Sequence, residues 1–381
     1  MPNGCRHSFR DELTTKGQRH SFRDELTSRQ RRRRLLSFVF ESVMGSCLFI
    51  SWMKGASAQQ TLKLNDGVRK VKLYSYKELK AATGDFSLSN RVGGGGFGSV
   101  YKGTLKNGTV VAVKVLSSES TQGAKEFLTE ITSISDIVHE NLVKLYGCCM
   151  EGNHRILVYN YLDNNSLAQT LLGAKRNDIR FSWRRRRKIC IGVARGLAFL
   201  HEEIRPHILH RDIKASNILL DKNLIPKISD FGLARLLPSN ATHISTRVAG
   251  TLIITNIEAL FLNTEDTWHL NMPYAGRISS SEFGENGLQY PDVVDGILIL
   301  QTWAHYEHGE LERIIDSSLT NDLDIKEACR FLKIGLLCTQ DASKLRPSMS
   351  TVVKMLKSER DVQSEKITHP GLVTDFTKMK I

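Results

Sequence analysis

Two neighbouring segments, HILHRDIKASNILL (His207–Leu220) and KISDFGLAR (Lys227–Arg235), constrain this chain more than any other feature. Asp212 and Asn217 lie five residues apart in a polar loop between apolar runs, and Asp230 follows thirteen residues later. Carboxylate and amide oxygens are the ligands that Mg2+ prefers, and a further carboxylate can accept a hydroxyl proton. The pattern therefore predicts a site that holds magnesium and phosphate next to a general base.

A glycine-rich segment, VGGGGFGSVYKG (Val92–Gly103), is the second feature. Gly93, Gly95 and Gly98 follow the GxGxxG pattern, which in dinucleotide-binding proteins must open a helix. Here Gly98 leads into SVYKG, a strand pattern. The glycines therefore suit a hairpin whose backbone amides approach phosphate groups without interference from a Cβ atom. A plain glycine-rich hairpin stays open as the alternative on this motif alone.

Two lysines carry charge that needs a partner. Lys114 lies in VAVK, and such an apolar strand makes a lysine costly unless it is paired. Glu126 and Glu130 fall four residues apart on one face of the helix predicted over Thr121–Ile137, so either carboxylate can pair with Lys114. Lys214, in the polar loop, is placed to neutralise charge on a transferred phosphoryl group.

Composition excludes several classes of protein. A chain of 381 residues with 41% hydrophobic and 24% charged residues is typical of a soluble globular protein, not of a disordered, collagenous or multi-span membrane protein. The seven cysteines show no CxxC or Cys/His metal spacing, which predicts reduced thiols. No segment combines aromatic and basic residues in a nucleic-acid motif, so nucleic-acid binding is not expected as the main function.

The N-terminal region differs from the rest of the chain. The first 34 residues hold ten Lys and Arg against four Asp and Glu, and they contain the same nine residues twice, at Arg6–Thr14 and Arg19–Thr27. Two short copies cannot stack into a repeat fold, so a disordered arm is predicted. The apolar run 35–53 fits a transmembrane helix, a signal peptide or a peripheral anchor. The anchor is favoured because Glu41 costs about 2.5 kcal/mol at mid-membrane, whereas each basic residue gains about 1 kcal/mol at an anionic surface.

From about residue 75 short strand patterns dominate as far as Leu162, and helical periodicity dominates beyond it. This order predicts an α+β chain with a small sheet-rich lobe, a larger helical lobe and a cleft between them. The WRRRRK run that starts at Trp183 is predicted to be the solvated start of a helix. His139 and His201 have no ligand spacing and are assigned structural roles.

The chain resembles plant receptor-like cytoplasmic kinases, and within them the cold-responsive protein kinase group. The match runs over about Tyr74–Thr251 and Thr302–Leu372 and includes HENLVKLYGCC, LAFLHEEIRPHILHRDIKASNILLD and LLCTQDASKLRPSMSTVV. The resemblance implies a bilobal protein-kinase fold with one helix in an antiparallel-sheet small lobe. It also implies phosphoryl transfer from ATP and Mg2+ to serine and threonine hydroxyls of protein substrates. It further implies an upstream receptor kinase and a cytoplasmic protein at the plasma membrane.

The resemblance also assigns domains and residues. The domains are an N-terminal region 1–73, a small lobe 74–160, a large lobe 161–357 and a tail 358–381. The implied catalytic residues are the base Asp212, then Lys114, its partner Glu130, Lys214 and Asn217. The implied nucleotide contacts are Val92, Gly93, Gly95, Gly96, Gly98, Val100, Ala112, Lys114, Tyr159, Asn160, Leu162 and Leu219. The implied metal ligands are Asn217 and Asp230, and Arg211 implies control by phosphorylation at Ser245 or Thr246.

One segment departs from the family pattern. After VAGT the family continues with GYLAPEY and a DVYSFG-like helix, and neither phrase occurs here. Codons for residues 266–276 (DTWHLNMPYAG) and their neighbours can, when read in a shifted frame, also encode GYLAPEYAIR. We therefore interpret Leu252–Glu265 as foreign sequence and Asp266 to about Leu300 as translated out of frame. Arg346 in LRPSM is then expected to be a buried charge without its glutamate partner, at a cost of about 3–5 kcal/mol.

We consider three functions from the sequence, of which two remain open. The first is a serine/threonine protein kinase with a damaged substrate-docking segment. The second is a catalytically impaired scaffold that still binds ATP. The third, a dinucleotide-dependent oxidoreductase, requires a helix directly after Gly98, and the strand pattern found there excludes it.

Overall fold

The computed structural model describes residues 61–64, 69–95, 98–116, 121–171, 181–237, 290–316, 319 and 322–371. The chain divides into two compact units, Met1–Gln60 and Thr61–Ile381, and every described residue belongs to the second. The basic arm, the apolar run 35–53, Gly96, Ser245, Thr246 and residues 252–289 lie outside the described residues. Within the described ranges, no helix is long and apolar enough to cross a membrane.

Seven strands form the sheet of the small lobe, in the order β1-β2-β6-β7-β5-β4-β3. They are β1 (Thr61–Leu64), β2 (Arg69–Leu73), β3 (Arg91–Gly95), β4 (Gly98–Thr104), β5 (Val110–Val115), β6 (Leu145–Cys149) and β7 (Ile156–Asn160). Neighbouring strands pair antiparallel except β2 and β6, which pair parallel. The sheet therefore begins at Thr61, earlier than the lobe boundary predicted at residue 74.

Alternation along β5 separates the core from the cavity. Val111 and Val113 are fully buried and pack in a cluster with Tyr74 and other apolar residues on the outer face of the sheet. Successive side chains of a strand point to opposite faces, so Ala112 and Lys114 face the other way. Because of this alternation, Lys114 faces the cleft although the strand around it is apolar.

The described part of the small lobe contains two α-helices, whereas the sequence predicted one. The additional helix, α1 (Tyr76–Ala82), is capped by Ser75, whose side chain accepts a hydrogen bond from the Glu78 N–H at 3.1 Å. The predicted helix, α2 (Thr121–Ile134), ends three residues earlier than expected. Its buried face includes Phe127, Glu130 and Ile131, which recur at helical spacing.

The larger lobe combines five helices of the described residues with two short strand pairs. The helices are α3 (Leu167–Leu171), α4 (Trp183–Ala198), α5 (Tyr290–Glu307), α6 (Ile325–Thr339) and α7 (Met349–Leu356), and α4 continues as a π-helical turn over Phe199–Glu203. The strands are β8 (His207–Leu209), β9 (Ile218–Leu220), β10 (Pro226–Ile228) and β11 (Arg235–Leu237). β9 pairs with β10 and β8 pairs with β11, both antiparallel. These pairs bring the two polar loops of the opening motifs side by side.

One expectation about arginines holds only in part, and a second is wrong. The WRRRRK run does start α4, but Arg186 within it is buried, and its Nη2 lies 2.7 Å from Asp316 Oδ2. Helical periodicity turns this arginine inward, where it needs a carboxylate. Arg346 is only partly buried, and its Nε donates to the carbonyl oxygen of Gln340 at 2.7 Å. It is therefore not a buried charge without a partner.

The predicted tail is packed against the large lobe over a segment that we call the C-terminal strap (residues 368–371). The Thr368 N–H and hydroxyl both donate to Gln340 Oε1 at 2.9 Å, and the Gly371 N–H donates to the Thr339 carbonyl at 3.0 Å. Pro370 is buried and pairs with Gln340. The strap thus supplies donors to the end of α6, where helix carbonyls lack intrahelical partners.

Candidate active site

A cavity of about 410 Å3 lies between the sheet and the larger lobe. Eleven of the predicted site residues line it: Val92, Gly93, Val100, Ala112, Lys114, Glu130, Tyr159, Asn160, Leu162, Leu219 and Asn217, together with the predicted metal ligand Asp230. Among the described residues, Gly98, Asp212 and Lys214 do not line the cavity. The sequence missed the polar lining from residues outside the motifs, which are Tyr161, Asp163, Asn165, Ser166 and Gln169. It also assigned no role to Ser216 and Ser229, although both lie within the two motifs.

Lys114 joins three separate elements. From β5, its Nζ lies 2.6 Å from Glu130 Oε1 on α2 and 2.8 Å from Asp230 Oδ1 in the loop after β10. Burial by itself would lower the pKa of Lys114, but the two carboxylates outweigh it and raise that pKa. The ammonium therefore stays charged in the cleft, and Glu130 rather than Glu126 is the glutamate that pairs with it.

The second oxygen of Glu130 is also engaged. Tyr159, at the end of β7, donates its phenolic hydrogen to Glu130 Oε2. Burial raises the pKa of Glu130 to about 7, although the charge of Lys114 acts to lower it. A buried carboxylate is stable only when its oxygens find donors, and here one ammonium and one phenol provide them.

Asp212, Asn217 and Lys214 form a second cluster. The Asn217 amide nitrogen donates to the Asp212 carbonyl oxygen at 2.8 Å and to Asp212 Oδ2 at 2.9 Å. Lys214 Nζ lies 2.9 Å from the same Oδ2. One carboxylate oxygen is thus held by two donors, which fixes the direction in which the carboxylate faces.

His210 connects the two polar loops. Its Nδ1 accepts the Asp212 N–H at 3.2 Å, so its Nε2 carries the ring hydrogen and donates to the Ser229 carbonyl at 3.0 Å. Burial lowers the pKa of His210 to about 4, so the ring is neutral near pH 7. Its ring meets Phe231 edge-on, with centroids 4.6 Å apart. Sequence reasoning did not single out this histidine, because its partners Ser229 and Phe231 lie in another segment.

The backbone of both loops is held in an unusual conformation. Arg211 has φ 70° and Asp230 has φ 66°, in the left-handed region that costs a residue with a side chain about 1–3 kcal/mol. Such strain persists when the surroundings determine the conformation, and it clusters at functional sites. Each of these residues adjoins or belongs to the polar clusters described above.

The glycine-rich hairpin is formed by β3 and β4. Gly98 has φ 119°, and a Cβ built there would lie 2.1 Å from the Val115 carbonyl oxygen. Only glycine fits this close approach. Because β4 starts at Gly98, the strand predicted after the glycines is confirmed, and the helix that a dinucleotide-dependent oxidoreductase requires is not formed there.

The oxygen donors of the site fit magnesium bound to a nucleotide. Asn217 uses its amide nitrogen for Asp212, which leaves its amide oxygen for a cation, and Asp230 lines the same cavity. Among the described residues, no three His, Cys, Asp or Glu side chains converge on one metal position. Mg2+ is typically held by one or two carboxylates together with substrate phosphates, so this sparse set suits it.

This geometry defines the class of protein. A two-lobed α+β fold places a lysine–glutamate pair, an Asp–Asn loop, a second aspartate and a glycine hairpin around one cavity, which is the arrangement of a protein kinase. The chain belongs to the protein kinase family: residues 86–260 match the family of protein tyrosine and serine/threonine kinases.

Relatives narrow the class to serine/threonine protein kinases. The chain is 56% identical over 329 residues to cold-responsive protein kinase 1 of Arabidopsis thaliana, which covers 82% of this chain and 80% of that protein. It is 48% and 44% identical to two probable LRR receptor-like serine/threonine-protein kinases of Arabidopsis thaliana, over 80% and 81% of this chain. The chain spans only 29% and 32% of the length of those two proteins.

Proposed function

We propose that this chain binds ATP and Mg2+ in the cavity and transfers the terminal phosphoryl group to serine or threonine hydroxyls of protein substrates. The observation that carries this proposal is the convergence of Lys114 on Glu130 and Asp230 at 2.6 Å and 2.8 Å, beside the Asp212–Asn217 loop. A lysine–glutamate pair formed in this way positions nucleotide phosphates in protein kinases.

The proposed chemistry assigns one task to each group. Bound magnesium would neutralise charge on the phosphates, with Asn217 and Asp230 as its protein ligands. Asp212 accepts the proton of the incoming hydroxyl, and Asn217 keeps the Asp212 carboxylate in place through the 2.9 Å hydrogen bond. Lys214, held next to Asp212, stabilises charge on the transferred group.

The experiment is phosphate transfer by the full chain. With ATP labelled on its terminal phosphate and Mg2+, we expect label on the chain itself or on a general protein substrate. Asp212→Asn keeps nearly the same shape and still binds nucleotide, but it lacks the base, so transfer should fall about 100-fold or more. Nucleotide binding by the wild-type chain without any transfer would favour the ATP-binding scaffold instead.

We further propose that the basic arm holds the protein at the cytoplasmic face of the plasma membrane, where an upstream receptor kinase acts on it. The support is the arm's charge, ten basic against four acidic residues, and the likeness to kinases whose names include receptor-like. Co-sedimentation with vesicles tests this. Binding to vesicles rich in phosphatidylserine should be lost in 0.5 M salt or after removal of residues 1–34, and binding that survives both contradicts it.

A further inference from the structure

The pairing of strand β7 with β6 is irregular where β7 ends at the cavity. Gly147 pairs with Val158, but Leu145 pairs with Tyr159, so one additional residue, Tyr146, lies on the β6 side. Such a bulge shifts the pairing beyond it by one residue. The next two residues to face each other are therefore Lys144 and Asn160.

This last pair exchanges hydrogen bonds in an unusual way. Opposed residues of an antiparallel pair that bond at all exchange two backbone hydrogen bonds. The Asn160 N–H does donate to the Lys144 carbonyl at 3.1 Å. The Lys144 N–H, however, donates to the side-chain Oδ1 of Asn160 at 2.7 Å. The side-chain carbonyl thus takes the place that the backbone carbonyl of Asn160 would occupy in the ladder.

Asn160 lines the cavity between Tyr159 and Tyr161, where the chain passes from one lobe to the other. A backbone carbonyl at this point accepts hydrogen bonds and cannot donate them. Adenine carries an exocyclic amine, a donor, at the position where guanine carries a carbonyl oxygen, an acceptor. A carbonyl reserved for the base would therefore discriminate between the two purines, since an unmatched buried acceptor is costly.

We propose that the Asn160 side chain determines base specificity by binding the Lys144 N–H and thereby reserving its own backbone carbonyl for the amine of adenine. This inference rests on the proposed binding of ATP. Asn160 acts here as a positioning residue, since the group that meets the base is its main chain and the side chain determines where that main chain is directed.

The test compares ATP and GTP binding to the full chain with Mg2+ by calorimetry. In Asn160→Ala the Lys144 N–H loses its acceptor and competes for the backbone carbonyl. We expect ATP affinity to fall about 3- to 10-fold, the value of one hydrogen bond, with GTP affinity unchanged. Asn160→Asp keeps an acceptor in the same place and should keep the wild-type ratio of the two dissociation constants. That ratio removes the effect of the added charge, which acts on both nucleotides alike.

Two further measurements separate specificity from general damage. Asn223→Ala, at an exposed turn away from the cavity, is the matched control and should leave the ratio unchanged. Hydrogen–deuterium exchange of the Lys144 amide in the absence of nucleotide should be faster in Asn160→Ala than in the wild type or Asn160→Asp. In phosphate transfer, Asn160→Ala should raise KM for ATP and leave kcat within about twofold, as expected for a group that acts in binding alone.

The outcomes separate a failure of this inference from a failure of the proposed function on which it rests. If the wild-type chain binds ATP and the ratio in Asn160→Ala equals that of the wild type, or the Lys144 amide exchanges at the same rate, this inference is wrong and the proposed function stands. If Asn160→Asp behaves like Asn160→Ala, the acceptor has no part in the effect and the inference is likewise wrong. A wild-type chain that binds neither nucleotide overturns both.

Discussion

Lys114 Nζ lies 2.8 Å from Asp230 Oδ1, although 116 residues separate the two in the chain. The same ammonium lies 2.6 Å from Glu130, which comes from a third element. One cation is therefore shared by two carboxylates from α2 and from the loop after β10. This contact joins the small lobe to the large lobe inside the cavity.

Tyr159→Phe is expected to weaken both stability and transfer. The change removes the donor to Glu130 Oε2 and leaves a fully buried carboxylate oxygen without it, which should lower the free energy of unfolding by about 1–3 kcal/mol. Urea unfolding and initial rates of phosphate transfer measure the two effects. Tyr161→Phe is the control: its ring contact with Lys102 does not need the hydroxyl, so a change below about 0.5 kcal/mol is expected. Equal effects of the two variants would contradict the prediction.

Gly98→Ala is expected to disrupt the glycine hairpin. A Cβ at this position meets the Val115 carbonyl oxygen at 2.1 Å with φ at 119°, and that oxygen belongs to the backbone of β5 and cannot move away freely. We expect a loss of about 3 kcal/mol or more in the free energy of unfolding, with weaker nucleotide binding. Gly108→Ala shares a positive φ of 81° but meets nothing within 4 Å, so about 1 kcal/mol is expected. A Gly98→Ala variant no less stable than Gly108→Ala would exclude the close approach.

His201 is expected to make stability sensitive to acid. Burial lowers its pKa from 6.5 to about 4, and within the described residues its buried Nε2 has no hydrogen-bond partner. The unfolded chain therefore binds a proton on His201 near pH 6.5, whereas the folded chain binds it only near pH 4. The contribution of His201 to the free energy of unfolding is fully present above pH 6.5 and is lost as pH falls toward 4. Each such histidine should remove about 1.5 kcal/mol of stability between pH 6.5 and pH 5.

The measurement is urea unfolding at several pH values. His201→Gln should flatten the dependence between pH 6.5 and pH 5, because glutamine does not titrate. His207→Gln, at a half-buried site in the same segment, is the control. A slope that is the same in wild type and His201→Gln would show that the buried ring is not the cause.

The C-terminal strap is expected to stabilise the large lobe. A chain that ends at Glu365 loses the Thr368 donors to the buried Gln340 and the cap on Thr339, which should lower the free energy of unfolding by about 2 kcal/mol or more. Thermal unfolding of this shortened chain measures the loss. A chain that ends at Gly371 retains every contact of the strap and serves as the control. If both shortened chains unfold at the same temperature, the strap makes no contribution.

Much of the site can be predicted from the sequence because its reactive side chains lie in short motifs. Asp212, Lys214 and Asn217 are near neighbours in one loop, and their mutual hydrogen bonds are local. The strand after Gly98 can be predicted as well, since period-two alternation distinguishes a strand from a helix. The burial of Arg186, by contrast, depends on a distant segment, because its partner Asp316 lies 130 residues away.

The sequence by itself determined the family, the two-lobed α+β plan and the identity of the residues with acid, base and phosphate-binding chemistry. These follow from local spacing, which a linear pattern records. The tertiary structure decided that the Tyr159 phenol reaches Glu130 and that Asn160 accepts the Lys144 N–H through its side chain. Each of these depends on how strands and helices distant in the chain are brought together, and a hydrogen bond is decided by tenths of an ångström that periodicity does not encode.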